Sequence, residues 1–484
     1  MKKNKIIYLP QQNKKEMKYT QPNIDNEALT FFTGDQFIDA GGFVLKELFA
    51  RYPNANILDL IMLATNIYID KWDSKLNTFF LNSKITQPSF KADQKKEETR
   101  KYFEGLLNET LPYIIGYCQV TNKKTKLFPA CRDNSVLSGS RTFVNFHHTF
   151  QNGIMLSKEA LIRYHFLPLG CEILQGKIAV IHSNNPQISE LYARNCCSRN
   201  LTSIGQNFSD GVLRNRSKAI GTALFRYIDD IINKYIDDET QNTSLTLYHF
   251  TNFGASPEIH IYTLPFMTFD FYSDTQKAIY KQDWNKFIAH HYYSPEIKNA
   301  KYIEKSNLFI TIEKTVEKQI TQEQFKYWKN NIYEKLLVSK SIIPDIRKWS
   351  ENHHFNLNLL KRYLIKVRNM KEEIIFIIEQ IADSIVKQTK ETEINKVITE
   401  LNGTKSAFLL RRFILKVVDN HYKQNNDQPL ITVEDYMKYI YSKSEYWSEV
   451  RDILLIAIYQ RLHELKLHID IELTNEDIPL NEED

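Results

Sequence analysis

The chain has 484 residues, of which 42% are hydrophobic, 12% aromatic and 25% charged, with only 14 glycines and 14 prolines. This composition is typical of an ordinary folded protein and excludes collagenous, low-complexity and wholly disordered chains. The formal charge is +5, but residues 470–484 hold seven acids and no lysine or arginine, so the first 469 residues carry +12, which favours a polyanionic partner.

The N-terminal residues predict no secretory leader, because their apolar run at 6–9 is shorter than the roughly 7 to 15 residues of a signal h-region. The longest apolar runs, such as Ile453 to Tyr459, fall well below the ~18 residues of a bilayer crossing, so no membrane contact is expected. An odd number of cysteines without a regular framework predicts reduced thiols and a cytoplasmic protein. The cysteines are Cys118, Cys131, Cys171, Cys196 and Cys197.

Strand-like and helical runs alternate up to about residue 320. Lys177 to His182 and residues 244–248 predict strands, and Ser217 to Tyr235 predicts a helix. Polar stretches at 83–97, 121–142 and 195–216 predict loops. Beyond 320 the pattern is almost purely helical. The sequence therefore predicts an α+β protein, with a mixed body at 1–320, a C-terminal all-α helical bundle at 321–469 and an acidic tail at 470–484.

Two of the predicted loops are basic, and flexible basic loops suit contact with bases or phosphates. An ordinary exposed loop is the alternative for each. The first loop offers Lys123, Lys124, Lys126, Arg132 and Arg141. The second offers Arg194, Arg199, Arg214, Arg216 and Lys218.

Two helices of the predicted bundle are also basic. In the first, 357–371, five cations accompany an apolar face without any acid; they are Lys361, Arg362, Lys366, Arg368 and Lys371. In the second, a Thr404 cap precedes Lys405, Arg412, Lys416 and Lys423, which fall within about 20° of one line at 100° per residue. A solvated face is the alternative for each stripe. Together they favour non-sequence-specific binding of a nucleic-acid backbone.

No set of candidate catalytic residues in the sequence makes a complete active site. The acids of Tyr227-Ile228-Asp229-Asp230 resemble a two-metal polymerase pair, but the helical spacing of the neighbouring apolar residues places them on an amphipathic helix. Gly170 to Lys177 is a near miss for a phosphate loop. A zinc site from Cys118, Cys131 and His147-His148 has irregular spacing, and buried free cysteines are commoner. We therefore predict a binding protein without catalytic residues, metal or cofactor.

Four ordered stretches resemble the large subunit of the type I CRISPR surveillance complex, Cascade, of the branch found mainly in subtype I-B. They are residues 33–42 (TGDQFIDAGG); 143–147 with 167–171 and 176–183; 245–252 with 257–262; and 447–456. Relatives often carry two Cys-x-x-Cys pairs, whereas Ser157 and Ala160 replace the second pair here, so no zinc finger is carried over. In structural terms, glycines 34, 41 and 42 are expected to allow tight turns, and 447–462 is expected to form an amphipathic helix.

The resemblance implies a non-catalytic subunit that inspects the motif beside a DNA target, stabilises the R-loop and recruits a helicase-nuclease in antiviral defence. The implied partners are the CRISPR guide RNA, target double-stranded DNA, the Cascade backbone, handle-binding and small subunits, and the helicase-nuclease. The C-terminal bundle would correspond to the small-subunit-like domain of that family. Two alternatives are a stand-alone nucleic-acid-binding protein or metal-dependent nuclease that uses Asp229 and Asp230, and a scaffold without nucleic-acid contact.

Overall fold

The computed structural model describes residues 24–139, 153–235, 242–254, 257–297, 299–313, 316–424, 429–440 and 446–467. The fold is α+β, as predicted, with mixed sheets first and helices in the C-terminal part. Two compact units are formed, one by residues 1–266 with 326–329 and the other by 267–325 with 330–484. The division lies before the predicted boundary at 320, because the three strands between 301 and 321 pair with one another and belong to the second unit.

The first unit contains seven α-helices and seven strands in its described part. In chain order these are α1 (Asn26–Thr30), α2 (Gln36–Arg51), α3 (Ile57–Asn66), α4 (Ala92–Leu107), β1 (Ile114–Tyr117), β2 (Lys124–Ala130), β3 (Ile154–Ser157), α5 (Lys158–Phe166), β4 (Glu172–Leu174), β5 (Lys177–Ser183), α6 (Pro186–Gly205), α7 (Ile220–Lys234), β6 (Leu245–Thr251) and β7 (Glu258–Leu264). Strands β1-β2-β3 and β4-β5-β6-β7 form two antiparallel sheets. The predicted strands at 177 and 244 and the helix at 217–235 are thus confirmed.

All three predicted loops contain regular structure. Strand β2 lies inside 121–142, and α6 continues through the first half of 195–216. Helix α6 begins after the N-cap residue Asn185. Many of its residues are polar and exposed, although Cys196, Cys197 and Leu201 are buried. A polar composition therefore marked the solvent face of a helix rather than a loop. Helix α4 likewise begins at Ala92, inside the predicted loop 83–97.

A buried ion pair joins α2 to α5. Arg163 Nη2 donates to Asp39 Oδ1 at 2.8 Å, and the two side chains are 1% and 0% exposed. Asp39 also accepts from the Thr33 hydroxyl at 2.7 Å and from the Gly34 N–H at 2.9 Å. Arg163 Nε donates to the Ile38 carbonyl at 2.9 Å. These hydrogen bonds compensate for much of the pair's loss of water, although Arg163 Nη1 is buried without a partner among the described residues.

Glycines of α2 make room for this arrangement. A Cβ on Gly41 would lie 1.9 Å from the Arg163 backbone oxygen, and a Cβ on Gly42 would lie 2.6 Å from Arg163 Nη2. Only Gly34, with φ of +89°, supports a turn as expected. The expectation of tight turns at 41 and 42 is wrong, because both residues are helical and allow close packing instead.

The second unit is built on a helix that is buried on all sides. Its elements are α8 (Phe266–Thr275), α9 (Ala278–His290), β8 (Tyr292–Tyr293), β9 (Lys301–Ile303), β10 (Leu308–Glu313), β11 (Val316–Thr321), α10 (Gln322–Phe325), β12 (Lys329–Asn330), α11 (Asn331–Leu337), α12 (Ile343–Ser350), α13 (Leu357–Lys366), α14 (Glu372–Gln388), α15 (Glu391–Asn402), α16 (Ala407–Gln424), α17 (Val433–Asp435) and α18 (Trp447–Glu464). Helix α18 contacts α12, α14, α15 and α16. Residues 453–460 are all buried, so the predicted amphipathic pattern is wrong for α18.

None of the described helices is long and apolar enough to cross a membrane.

We predict that Asp39→Ala lowers the free energy of unfolding by about 3 to 5 kcal/mol, because it leaves the buried Arg163 guanidinium without its counter-charge. Urea titration followed by circular dichroism measures this change. The matched control is Asp70→Ala, which removes a carboxylate that pairs with Lys96 at the surface and should cost less than about 1 kcal/mol. Equal losses for the two variants would contradict the role of the buried pair.

A second prediction concerns His165, whose ring nitrogen lies 3.1 Å from the Thr65 hydroxyl inside the core. Burial lowers the pKa of His165 from 6.5 to about 4. The unfolded chain therefore binds this proton first as pH falls, and the free energy of unfolding should drop between pH 6.5 and 4 by up to about 3 kcal/mol. Urea titrations at pH 7, 5 and 4 test this, and His165→Gln should flatten the dependence. An unchanged slope in that variant would refute the assignment.

Candidate nucleic-acid interface

Part of the second predicted basic segment converges on an open cavity of about 650 Å³ in the first unit. Helices α6 and α7, the segment 213–217, the β4-β5-β6 sheet and Tyr327 line it. Its cationic lining residues are Arg199, Arg214, Arg216 and Arg226, against two carboxylates, Glu172 and Asp230. We call it the arginine-rimmed cavity.

The floor of the arginine-rimmed cavity is fixed and is formed by side chains that are almost completely buried. It includes Leu174, Ile181 and Leu247 from the sheet, with Tyr192 and Tyr227 from the two helices. The tyrosine rings meet edge to face at 5.2 Å. Both hydroxyls donate to backbone carbonyls, at 2.8 Å for Tyr192 and 2.6 Å for Tyr227, so neither ring is free to rotate away.

Arg199 and Asn215 converge on one buried acid. Arg199 Nη1 and Asn215 Nδ2 both donate to Glu172, the latter at 2.6 Å. The Glu172 side chain is 5% exposed, whereas that of Arg199 is 54% exposed. The pair therefore anchors Arg199 while leaving its guanidinium accessible from solvent.

Three further cations surround the mouth. Arg214 and Arg216 are exposed and form no ion pair within the part of the chain that the structure describes. The Arg226 guanidinium lies 3.8 Å from the centroid of the Tyr327 ring, and that of Arg216 lies 5.9 Å from it. Burial alone raises the pKa of Tyr327, but the hydrogen bond from Arg226 and the nearby positive charges lower it overall. The mouth is consequently electropositive.

The carboxylate of Asp230 opposes this field only in part. Burial raises its pKa above the ordinary value, although the charges of Arg226 and Arg199 pull it down. An acid with a raised pKa loses its negative charge more readily as pH falls. The lining therefore becomes more positive as the pH falls.

The segment that carries Arg214 and Arg216 is anchored rather than flexible. The Ile173 N–H donates to the Leu213 carbonyl, and the Asn215 N–H donates to the Ile173 carbonyl, both at 2.8 Å. Asn200 Oδ1 accepts from the Leu213 N–H at 2.9 Å. The prediction of a flexible loop is therefore wrong for residues 213–215, which bridge to the edge of β4.

Arg194 and Lys218 do not line the cavity. Arg194 lies on α6 and pairs with Glu47 at 2.7 Å and with Glu190 at 3.0 Å, so it connects elements of the unit. The Lys218 N–H donates to the Tyr327 carbonyl at 2.8 Å and thereby holds the tyrosine at the mouth. Arg226 was not among the residues predicted from the sequence. Its only sequence signal was that it is a single cation on the polar side of α7.

The first predicted basic segment is a loop only in part, because residues 124–130 form strand β2 of a hairpin with β1, whereas 131–139 are turns and bends. Lys123 lies 4.1 Å from the Phe31 ring centroid, and Lys124 is exposed at the start of β2. Lys126 pairs with Glu109 at 2.6 Å. Arg132 donates to the backbone carbonyls of residues 252 and 254, which is a structural role. Arg141, like His147 and His148, lies outside the described residues.

The cations of α13 and its C-terminal end are held by carboxylates of the same unit. The pairs are Lys361 with Glu379 at 2.8 Å, Arg362 with Asp274 at 3.0 Å, Lys366 with Asp270 at 3.0 Å and with Asp274 at 2.8 Å, and Arg368 with Glu449 at 2.7 Å. Burial raises the pKa of Asp274, but hydrogen bonds from Lys277 and Lys366 lower it overall. The helix also ends at Lys366, and Lys371 caps α14 instead. These pairs explain the cations by packing within the unit.

Helix α16 has a different environment. It begins at Ala407, so Lys405 precedes it, and Ser406 rather than Thr404 accepts from the N–H of its first turn. Within the described ranges, Lys405 and Arg412 have no carboxylate partner. Two further cations form exposed pairs, Lys416 with Glu400 at 2.9 Å and Lys423 with Asp419 at 2.6 Å. Exposed ion pairs are weak, so a phosphate group can displace Glu400 and Asp419 from these two lysines.

The acids proposed for metal binding lie on α7, as the helical interpretation predicted. Adjacent helical residues differ by 100° in direction, and Asp230 but not Asp229 lines the cavity. Across the described ranges, no group of three or more histidine, cysteine or acidic side chains could hold a metal ion. All five cysteines are buried, and all lie within the described residues without forming a disulfide.

Comparison with known proteins gives one family match. A family model described as the DevT C-terminal domain matches residues 348–484. The match begins in α12 and includes α13 to α18, and thus both basic helices but not the arginine-rimmed cavity. No curated protein matches the chain.

We predict that Lys405→Ala with Arg412→Ala reduces the slope of log affinity against log salt by about 1.5 for single-stranded DNA, because two phosphate contacts are lost. Fluorescence anisotropy of a labelled 30-nucleotide strand between 50 and 200 mM salt measures it. The control, Lys361→Ala with Lys366→Ala, removes cations that carboxylates already hold and should leave the slope unchanged. An unchanged slope in the α16 variant would exclude this face from phosphate binding.

Proposed function

We propose that this chain is the non-catalytic large subunit of a type I CRISPR RNA-guided DNA surveillance complex in the cytoplasm. In this role it recognises the motif beside the DNA target, stabilises the R-loop and recruits the helicase-nuclease. The observation that carries the proposal is the convergence of Arg199, Arg214 and Arg216 with Arg226 on one open cavity. The four ordered stretches that resemble the family provide independent support.

The charge arrangement suits phosphate more than an acidic protein. Guanidinium groups present planar, directional donors that match phosphate oxygens. Four of them surround one cavity, and two are free of ion pairs in the described part of the chain. A protein contact of this size nucleates strand exchange, while base pairing with the guide supplies most of the sequence information.

The C-terminal helices have a second task in this proposal. Lys405 and Arg412 lie beside exposed Phe408, Leu415 and Tyr422, so α16 combines cations with apolar and aromatic side chains. Such a surface follows a single strand by phosphate contact and stacking. The family match begins at residue 348, which indicates that this helical part recurs as a unit in other proteins. We assign to it the displaced or target strand of the R-loop.

The partners in this proposal are the guide RNA, the double-stranded target, the backbone, handle-binding and small subunits of the complex, and the helicase-nuclease. A pull-down of the tagged chain from its host, with sequencing of RNA and mass spectrometry of proteins, tests the set. We expect repeat-derived guide RNAs and a multi-copy backbone subunit. A monomer without RNA would refute the proposal.

We further predict that Asp229→Asn leaves DNA interference intact in the host, because the chain supplies no catalytic metal in this role. Plasmid-clearance assays measure interference, and the same pull-down confirms assembly. The comparison variant, Arg214→Glu with Arg216→Glu, should reduce clearance at least tenfold while preserving assembly. Loss of DNA cleavage by Asp229→Asn in an assembled complex would favour a metal-dependent nuclease.

A further inference from the structure

We propose that the arginine-rimmed cavity takes up one unpaired nucleotide that is turned out of a nucleic-acid strand. The base stacks at the mouth against Tyr327 and Arg226, and its flanking phosphates lie on Arg214 and Arg216. This inference rests on the proposed function in one respect, namely that the chain binds nucleic acid. It adds the substrate class of the site, which is a nucleoside phosphate within a strand.

The shape of the cavity favours a single nucleotide over an intact duplex. Its volume, about 650 Å³, is within the roughly 300 to 1,000 Å³ of small-molecule sites. Helices α6 and α7 form its walls and the sheet forms its floor. Proteins that read duplex DNA directly instead insert a helix or ribbon into a groove. A concave site admits a base only after the base has left its stack.

The stacking surface and the phosphate-binding side chains both lie at the mouth. The floor residues Leu174, Ile181 and Leu247 are at most 5% exposed, so the base contacts the partly exposed Tyr327 ring instead. At the mouth, Arg214 and Arg216 form no ion pair with a carboxylate in the described ranges. A base has an apolar face and a phosphate is anionic, so an aromatic ring beside two unpaired arginines matches a nucleotide.

Tyr327 and Arg226 form a flat platform beside this path. Their stacking distance is 3.8 Å, and the Tyr327 carbonyl accepts from the Lys218 N–H at 2.8 Å. The neighbouring Trp328 carbonyl accepts from the Thr222 hydroxyl on α7 at 2.8 Å. Because both carbonyls are held, the platform is ordered before a ligand arrives. Aromatic and guanidinium planes stack with any base, so the site need not read its identity.

Preorganisation also extends to the phosphate-binding side. The backbone on both sides of Arg214 is hydrogen-bonded to Ile173, and the Ser217 N–H donates to Asn215 Oδ1 at 2.8 Å. The two arginines therefore start from fixed backbone positions. Binding then orders only their side chains, which limits the entropic cost of holding a phosphate.

The test compares two labelled 20-bp DNA duplexes, one with a single extra adenosine and one fully paired. Fluorescence anisotropy is measured with the full chain at 100 mM salt. We expect the bulged duplex to bind about tenfold tighter. Tyr327→Leu should abolish this preference, whereas Tyr327→Phe, which keeps the ring, should retain it. Arg214→Ala with Arg216→Ala should weaken binding of the bulged duplex at least tenfold.

The control is Lys234→Ala, which removes an exposed cation from α7 outside the cavity and should leave the preference unchanged. Equal affinity of the native chain for both duplexes would overturn the inference and leave the proposed function in place. If the chain binds neither duplex, that result counts against both this inference and the proposed function. Displacement of the bulged duplex by equimolar AMP would assign the cavity to a free nucleotide and overturn the uptake from a strand. Circular dichroism identifies any variant that fails to fold, and Arg226→Gln then replaces Tyr327→Leu.

Discussion

The buried pair of Asp39 and Arg163 determines how the first unit packs. Two charges without water need further hydrogen bonds, and here Thr33, Gly34 and the Ile38 carbonyl provide them for Asp39 and for Arg163 Nε, while Arg163 Nη1 has no partner among the described residues. The guanidinium can reach Asp39 only because α2 has no side chain at Gly41 and Gly42. Helix α5 is consequently held against α2, which also packs on α6, and α6 forms one wall of the arginine-rimmed cavity. The conspicuous stretch 33–42 thus has a structural explanation.

Elements with a strong local pattern were predictable from the sequence. Strands β5 and β6 lie where β-rich runs placed them, and helix α7 lies where helical spacing placed it. Helix α6 was not, because its exposed residues gave the segment a polar composition, and its burial depends on α2, which is distant in sequence. The acids that hold α13 were equally invisible, since Asp274 is 88 residues from Arg362 along the chain. Local patterns reveal a cation but not the carboxylate that folding brings to it.

The candidate site also contains residues that were predictable from the sequence and residues that were not. Arg199, Arg214 and Arg216 came from charge density in one segment, and the structure brings them together around a cavity. Neither the enclosure nor the stacking of Arg226 on Tyr327 had a local signal, because the two residues lie on remote parts of the sequence. Flexibility was the wrong reason for choosing this segment. Its backbone is fixed by hydrogen bonds, and that fixed backbone is what places the two unpaired arginines beside each other.

The residues that line the cavity come from two separate stretches of the gene. After residue 266 the chain leaves the first unit, and it returns only for residues 326–329, which supply Tyr327. The first unit is therefore not encoded by one contiguous stretch. Recombination or gene fission at a single junction near 266 would separate the tyrosine from its arginine partners. The part of the second unit from residue 330 onward can be duplicated or exchanged without touching the cavity. Residues 267–325 cannot, because they lie in the chain between the two stretches that form the first unit.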